Sequence, residues 1–112
     1  MLLIPVQKIP IDESLIRFCH HGGMILSEVE DAVNSLLKNK KRPDAIFASS
    51  DKLTISCLRI LKARKIAVPD TMALVGFSNT DLTELTSPPL TTIRQPAFEM
   101  GEIATSLLLQ LI

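Results

Sequence analysis

The sequence predicts an α/β fold, a parallel sheet with helices on both faces, and three observations carry that prediction. Short apolar runs alternate with amphipathic stretches of helical length, the order produced by parallel strands joined through crossover helices. Ala45-Ile46-Phe47-Ala48 is apolar at every position, as a strand covered on both faces is. The chain has 112 residues, 46% hydrophobic and 21% charged, enough for one hydrophobic core and unlike a disordered segment.

In chain order, Leu15 to Cys19 reads as the first strand, and His20 to Met24 as a loop punctuated by Gly22 and Gly23. Ser27 stands as an N-cap, with Glu30 three residues on completing a capping box. Val29, Val33, Leu36 and Leu37 follow at helical spacing as one buried face. That helix ends in the basic run Lys38-Asn39-Lys40-Lys41-Arg42 before Pro43, which cannot continue it. Ala45 to Ala48 is the second strand. Ser49, Ser50 and Asp51 hand over to a helix whose inner stripe is Leu53, Cys57, Leu58 and Leu61. Val68-Pro69-Asp70 leads into the third strand, Ala73 to Gly76. A polar segment from Asn79 to Glu84, with one helical turn, reaches Pro88-Pro89 and a shorter fourth strand, Leu90 to Ile93. The last helix starts near Ala97, with Phe98, Gly101, Ala104, Leu107, Leu108 and Leu111 on one side.

Twelve basic residues balance twelve acidic ones, so the formal net charge is zero. Neutralising phosphates takes a basic excess, and this segment is therefore a poor candidate for touching nucleic acid itself. Two cysteines, Cys19 and Cys57, make no disulfide framework and fit a reducing cytoplasm. Met1-Leu2-Leu3-Ile4-Pro5-Val6 is apolar but short, without the charged leader or cleavage site of a signal peptide. No run approaches the ~20 apolar residues of a membrane helix. A soluble, cytoplasmic chain without a membrane partner is expected.

In an open parallel sheet, ligands bind outside the carboxyl ends of the strands. Those ends are Cys19-His20-His21, Ser49-Ser50-Asp51, Phe77-Ser78-Asn79 and Arg94-Gln95. A carboxylate at Asp51 can accept hydrogen bonds from two neighbouring hydroxyls of a sugar; it can equally cap the next helix. Cys19, His20 and His21 are metal-ligand types, but adjacent residues rarely point at one ion and no second cluster completes the set, so no metal is expected. The run Lys38 to Arg42 reads as a solvated helix end whose cations complement the dipole. No nucleophile elbow and no glycine-rich phosphate loop occurs, and neither an enzyme nor a cofactor is expected.

Three blocks carry a resemblance. Arg42 to Asp51 is similar to a stretch in which a strand ends in Asn-Asp. Val68-Pro69-Asp70 with Ala73-Leu74-Val75-Gly76-Phe77 looks like the strand that follows. Pro88-Pro89-Leu90-Thr91-Thr92-Ile93-Arg94-Gln95-Pro96, then Met100-Gly101, resembles the most recognisable signature of the lactose-repressor-type (LacI) family of transcription regulators. The resemblance implies the C-terminal subdomain of a periplasmic-binding-protein-like (type I) effector core, with residues 96–112 a helix that crosses to an N-terminal subdomain. It implies a small, sugar-like effector held in a cleft, operator DNA reached only through an N-terminal helix-turn-helix domain, and a homodimer. Asp51 matches the family's effector-binding aspartate, Gln95 a crossing residue close to the cleft, and Phe77 a strand end at its rim. Ser50 stands where the family usually has Asn, and Ser78-Asn79 where an Asp usually follows the Gly-Phe pair. Two other readings are a periplasmic-type sugar-binding protein and an oligomerising interaction module without ligand. The Leu-Thr-Thr block and the missing leader weigh against the first.

The resemblance further implies that the DNA-binding head, the N-terminal subdomain and the first strand of the C-terminal subdomain are not in these 112 residues. In the order 2-1-3-4-5 that strand is central, and its loss leaves edges open to another chain. Met1 to Val6 cannot replace it in parallel. Only the eight residues Gln7 to Ser14 separate it from the next strand, where a crossover needs about a dozen. An antiparallel hairpin or a strand donated by a neighbour remains, and a dimer with exchanged elements is expected. The chain alone is expected to give no gel shift on operator-like DNA and no micromolar sugar binding by calorimetry. Light scattering is expected to find a dimer; a clean monomer at high concentration would count against the exchange.

Overall fold

The computed structural model describes residues 9–77 and 91–112. The apolar run Met1 to Val6, the strand end Ser78-Asn79, the polar segment to Glu84, Pro88-Pro89 and Leu90 lie outside the described residues. Among the described residues three strands, β1 (Ala45–Ala48), β2 (Ala73–Phe77) and β3 (Thr91–Ile93), form one sheet in the order β1-β2-β3. Both pairings are parallel, with Ala48 opposite Gly76 and Gly76 opposite Thr92. Three helices accompany them: α1 (Leu26–Leu37), α2 (Asp51–Ala63) and α3 (Ala97–Leu111). The α/β class and the parallel sheet are those that the alternation of apolar runs predicts.

The core follows from two periodicities. Every second residue of a strand faces one way, and in β1 and β2 the buried set is Ile46, Ala48, Leu74 and Gly76. Val29, Val33 and Leu36 of α1 and Cys57, Leu58, Ile60 and Leu61 of α2 join Ile46 and Leu74 in one cluster, with Met72 sealed beside them. Apolar burial at about 25 cal/mol per Å² makes this cluster the main source of stability. The opposite face differs from expectation. Phe47 is 58% exposed, so β1 is apolar at every position and yet covered on one face among the described residues.

Two glycines make the packing possible. Gly76 lies under Thr54, and a Cβ there would overlap the buried Thr54 side chain. Gly23, at φ +89°, turns the chain into α1 where a Cβ would stand 2.8 Å from the Leu53 backbone nitrogen. A side chain would be refused there both by the left-handed backbone and by the start of α2.

Three sequence expectations are corrected. Leu15 to Cys19 is no strand. Glu13–Leu15 is a single 3-10 turn capped by Asp12, and residues 16–19 run without a ladder. A strand exists by pairing, and among the described residues none lies alongside. Arg17 instead ties the segment down, donating to the carbonyls of Ser14 (2.7 Å) and Ile16 (2.8 Å) and to Ser35 Oγ (2.9 Å). Second, Ser27 does not cap α1. The helix begins two residues earlier than that cap would put it, at Leu26, with Ile25 in the cap position and no side-chain cap bond. Third, α3 has the expected bounds but no buried side. Phe98 is 76% and Leu111 86% exposed, so its apolar stripe has no partner among the described residues.

Leu61→Ala is expected to cost ~2–5 kcal/mol, because it empties a fully buried site. Gly76→Ala should cost ~1–3 kcal/mol through overpacking. Combined with Thr54→Ala its cost should fall, and urea unfolding followed by far-UV circular dichroism measures that coupling.

Candidate functional site

Parallel pairing sends the carboxyl ends of all three strands to one edge of the sheet. Ser49-Ser50-Asp51 follows β1, Phe77 ends β2, and Arg94-Gln95 follows β3. The register keeps these ends nearly level, since Gly76 pairs with both Ala48 and Thr92. The candidate residues Ser50, Asp51, Phe77 and Gln95 therefore share one edge. Ser50, Asp51 and Phe77 are half-buried and Gln95 is exposed.

The local sequence explains the first of these corners. Ser50 is the N-cap of α2: its Oγ accepts from the Leu53 backbone N–H at 3.3 Å, and its carbonyl accepts from Thr54 Oγ1 at 2.7 Å. Asp51 is thus not the cap that its sequence position allows. It is the first residue of α2, where a carboxylate complements the positive end of the helix dipole. Gln95 lies in a separate concavity of ≈430 Å³ walled by Arg94 to Glu99. Ser50, Asp51 and Phe77 are not among its walls. The fold aligns the four residues along an edge and does not gather them into one cavity.

A second cluster was visible in the sequence only in part. His21 Nδ1 lies 3.0 Å from Glu28 Oε2. The backbone N–H groups of His20 and His21 also donate to this carboxylate, the latter at 3.4 Å. Glu28 therefore serves the preceding turn from the first turn of α1, as a helix dipole favours. Sequence reading missed it; an acid just after a two-glycine turn was the available signal. Desolvation is the largest single effect and raises its pKa, but the bonds from His21 and the two backbone N–H groups together outweigh it and hold it below the usual glutamate value. No group of three metal-ligand side chains occurs among the described residues. Cys57 is buried, and that burial, with a contribution from Cys19, pushes its thiol up to about 11. The basic run Lys38 to Arg42 is largely solvated, with Lys41 Nζ 3.6 Å from Asp12 Oδ2. No helix among the described residues is long and apolar enough to cross a membrane.

Residues 10–112 match the sequence model of the periplasmic binding protein-like domain. The transcriptional regulator DegA of Bacillus subtilis is 44% identical over 96 residues, which make up 83% of this chain and 26% of DegA. A LacI family transcription regulator from Clostridium acetobutylicum, solved by crystallography, is 31% identical with a TM-score of 0.63, over 79% of this chain and 33% of that one. The transcriptional regulator CelR in complex with cellobiose is 29% identical with a TM-score of 0.76, over 95% of this chain and 32% of that one. The chain spans between 25% and 30% of the length of the curated relatives it matches.

Two outcomes follow from the titrating groups. Glu28 has a depressed folded pKa, so its contribution is present above its ordinary value of 4.5 and is lost as pH falls through the lowered one. Amide protection at His20 and His21 should fade over that acid window, and in Glu28→Gln the fading should be absent. Cys57, by contrast, should resist iodoacetamide at pH 8 in the folded chain and react only in denaturant, as mass spectrometry would record.

Proposed function

The chain belongs to the periplasmic-binding-protein-like family of LacI-type transcription regulators, and from that membership we propose that it forms part of an effector-sensing core. The observation that supports this most is the shared carboxyl edge, where three parallel strands bring Ser50, Asp51, Phe77 and Gln95 to one border of the sheet. A sugar-like effector suits that border. Asp51 would accept from two vicinal hydroxyls, Ser50 and Gln95 would add neutral hydrogen bonds, and Phe77 would offer an apolar surface at the rim. The facing wall of the cleft would come from chain outside these residues. Effector binding would then favour one placement of the subdomains over another and shift the spacing of DNA-binding domains in a cytoplasmic homodimer. Operator DNA would be reached through those domains and not through this charge-balanced segment. No catalytic role is proposed, in keeping with relatives named as regulators.

Titrating cellobiose, the ligand of the CelR complex, into isotope-labelled chain tests this reading at the weak affinity that half a cleft allows. Amide shifts should concentrate at residues 49–51, 77 and 94–95, alongside parallel titrations of other neutral sugars. Asp51→Ala should weaken the effective sugar at least about tenfold, the worth of a hydrogen bond to a charged group. Shifts centred elsewhere with every sugar, or affinity indifferent to Asp51→Ala, would remove the proposal.

A further inference from the structure

The turn before α1 holds two consecutive glycines in the left-handed region, Gly22 at φ +60° and Gly23 at φ +89°. Glycine meets no steric penalty there and has the widest backbone freedom, so such a turn does not keep one shape by itself. Within it Gly22 N–H donates to the Cys19 carbonyl at 3.1 Å and Met24 N–H to the His21 carbonyl at 3.0 Å. Glu28 fastens it from outside. Its Oε1 accepts from the His20 backbone N–H, while Oε2 accepts from that of His21 at 3.4 Å and lies 3.0 Å from His21 Nδ1. Hydrogen bonds to a charged acceptor are the stronger kind. Gly23 itself is buried against α2: a Cβ there would stand 2.8 Å from the Leu53 nitrogen and 3.0 Å from the Lys52 carbonyl carbon. The N–H of that same peptide is the one that Ser50 Oγ accepts in capping α2.

We propose that Glu28 is a positioning residue for the Ser50-Asp51 corner: its carboxylate holds the two-glycine turn against the Lys52–Leu53 peptide, and that contact keeps the first turn of α2 capped at the carboxyl edge. The consequence for a bound sugar rests on the reading of that edge as an effector border. Gly23 meets α2 backbone to backbone, with no side chain between them to absorb a shift. A turn that relaxes therefore withdraws its support from the peptide directly. The cap needs that support, because the bond from Leu53 N–H to Ser50 Oγ is long at 3.3 Å and weak on its own. Thr54 on Gly76 fixes α2 against the sheet, and Gly23 braces the peptide one residue earlier. Glu28 thus acts on the edge from another helix, through the turn alone.

Hydrogen exchange of the full chain without ligand, read residue by residue by NMR, tests this proposal. The Leu53 amide should exchange about threefold faster or more in Glu28→Ala, the size of effect that loss of one member of a coupled set of contacts produces. Glu28→Gln keeps one acceptor oxygen and should fall between that variant and the wild type. Val33→Ala lowers stability from the buried face of α1 without removing a bond to the turn, and should leave Leu53 at its wild-type rate. Leu53 exchange indifferent to Glu28→Ala, or quickened equally by Val33→Ala, would overturn the proposal. For a sugar that binds the wild-type edge, the dissociation constant should rise by a similar factor in Glu28→Ala. Binding weakened by Asp51→Ala and untouched by Glu28→Ala would overturn the proposal as well. A wild-type edge that takes no sugar would remove the effector reading alone, and the exchange of Leu53 would still decide the role of Glu28.

Discussion

The packing of α2 across β1 and β2 is the constraint on which the other features rest. Leu61, Leu58 and Cys57 close one side of the core, while Thr54 presses onto Gly76 at the carboxyl end of β2. That contact holds the first turn of α2 over the sheet edge. Ser50 and Asp51 are consequently placed by a buried helix and not by a mobile loop. A residue at the start of a packed helix keeps its direction because moving it would disturb the core, and a binding edge gains its geometry in this way.

The same contact explains the turn that precedes α1. The first turn of α2 lies against Gly23, and only a glycine lets the chain pass. The carboxylate of Glu28 then collects the two backbone N–H groups released by that turn together with the ring of His21. Of the metal-ligand types at Cys19, His20 and His21, the two histidines are joined by hydrogen bonds to one acid.

Away from this centre, apolar surface stands open in the concavity of ≈500 Å³ lined by residues of the segment 15–19, α1 and β1, and along α3, where Phe98 through Leu111 have no cover among the described residues. Exposed apolar area of this extent marks surfaces that meet other chain. The two differ in kind. Among the described residues β1 has a ladder on one side only, to β2, whereas α3 satisfies its own backbone and calls only for side-chain packing.

Much of this was legible in the residues themselves. Alternating apolar runs gave α/β with parallel strands, and the bounds of β1, β2 and α3 fell within a residue or two of expectation, because strong periodicity is a local property. The carboxyl-edge position of Asp51 and Gln95 was equally legible, since strand order and direction place them there. Tertiary structure alone decided the rest. Whether Leu15 to Cys19 forms a strand depends on a neighbour to pair with. Whether Ser27, Ser50 or Asp51 caps a helix depends on where packing starts that helix. Whether Phe47 is buried depends on what covers its face. Each of these rests on a partner distant along the chain, which no local spacing of residue types encodes.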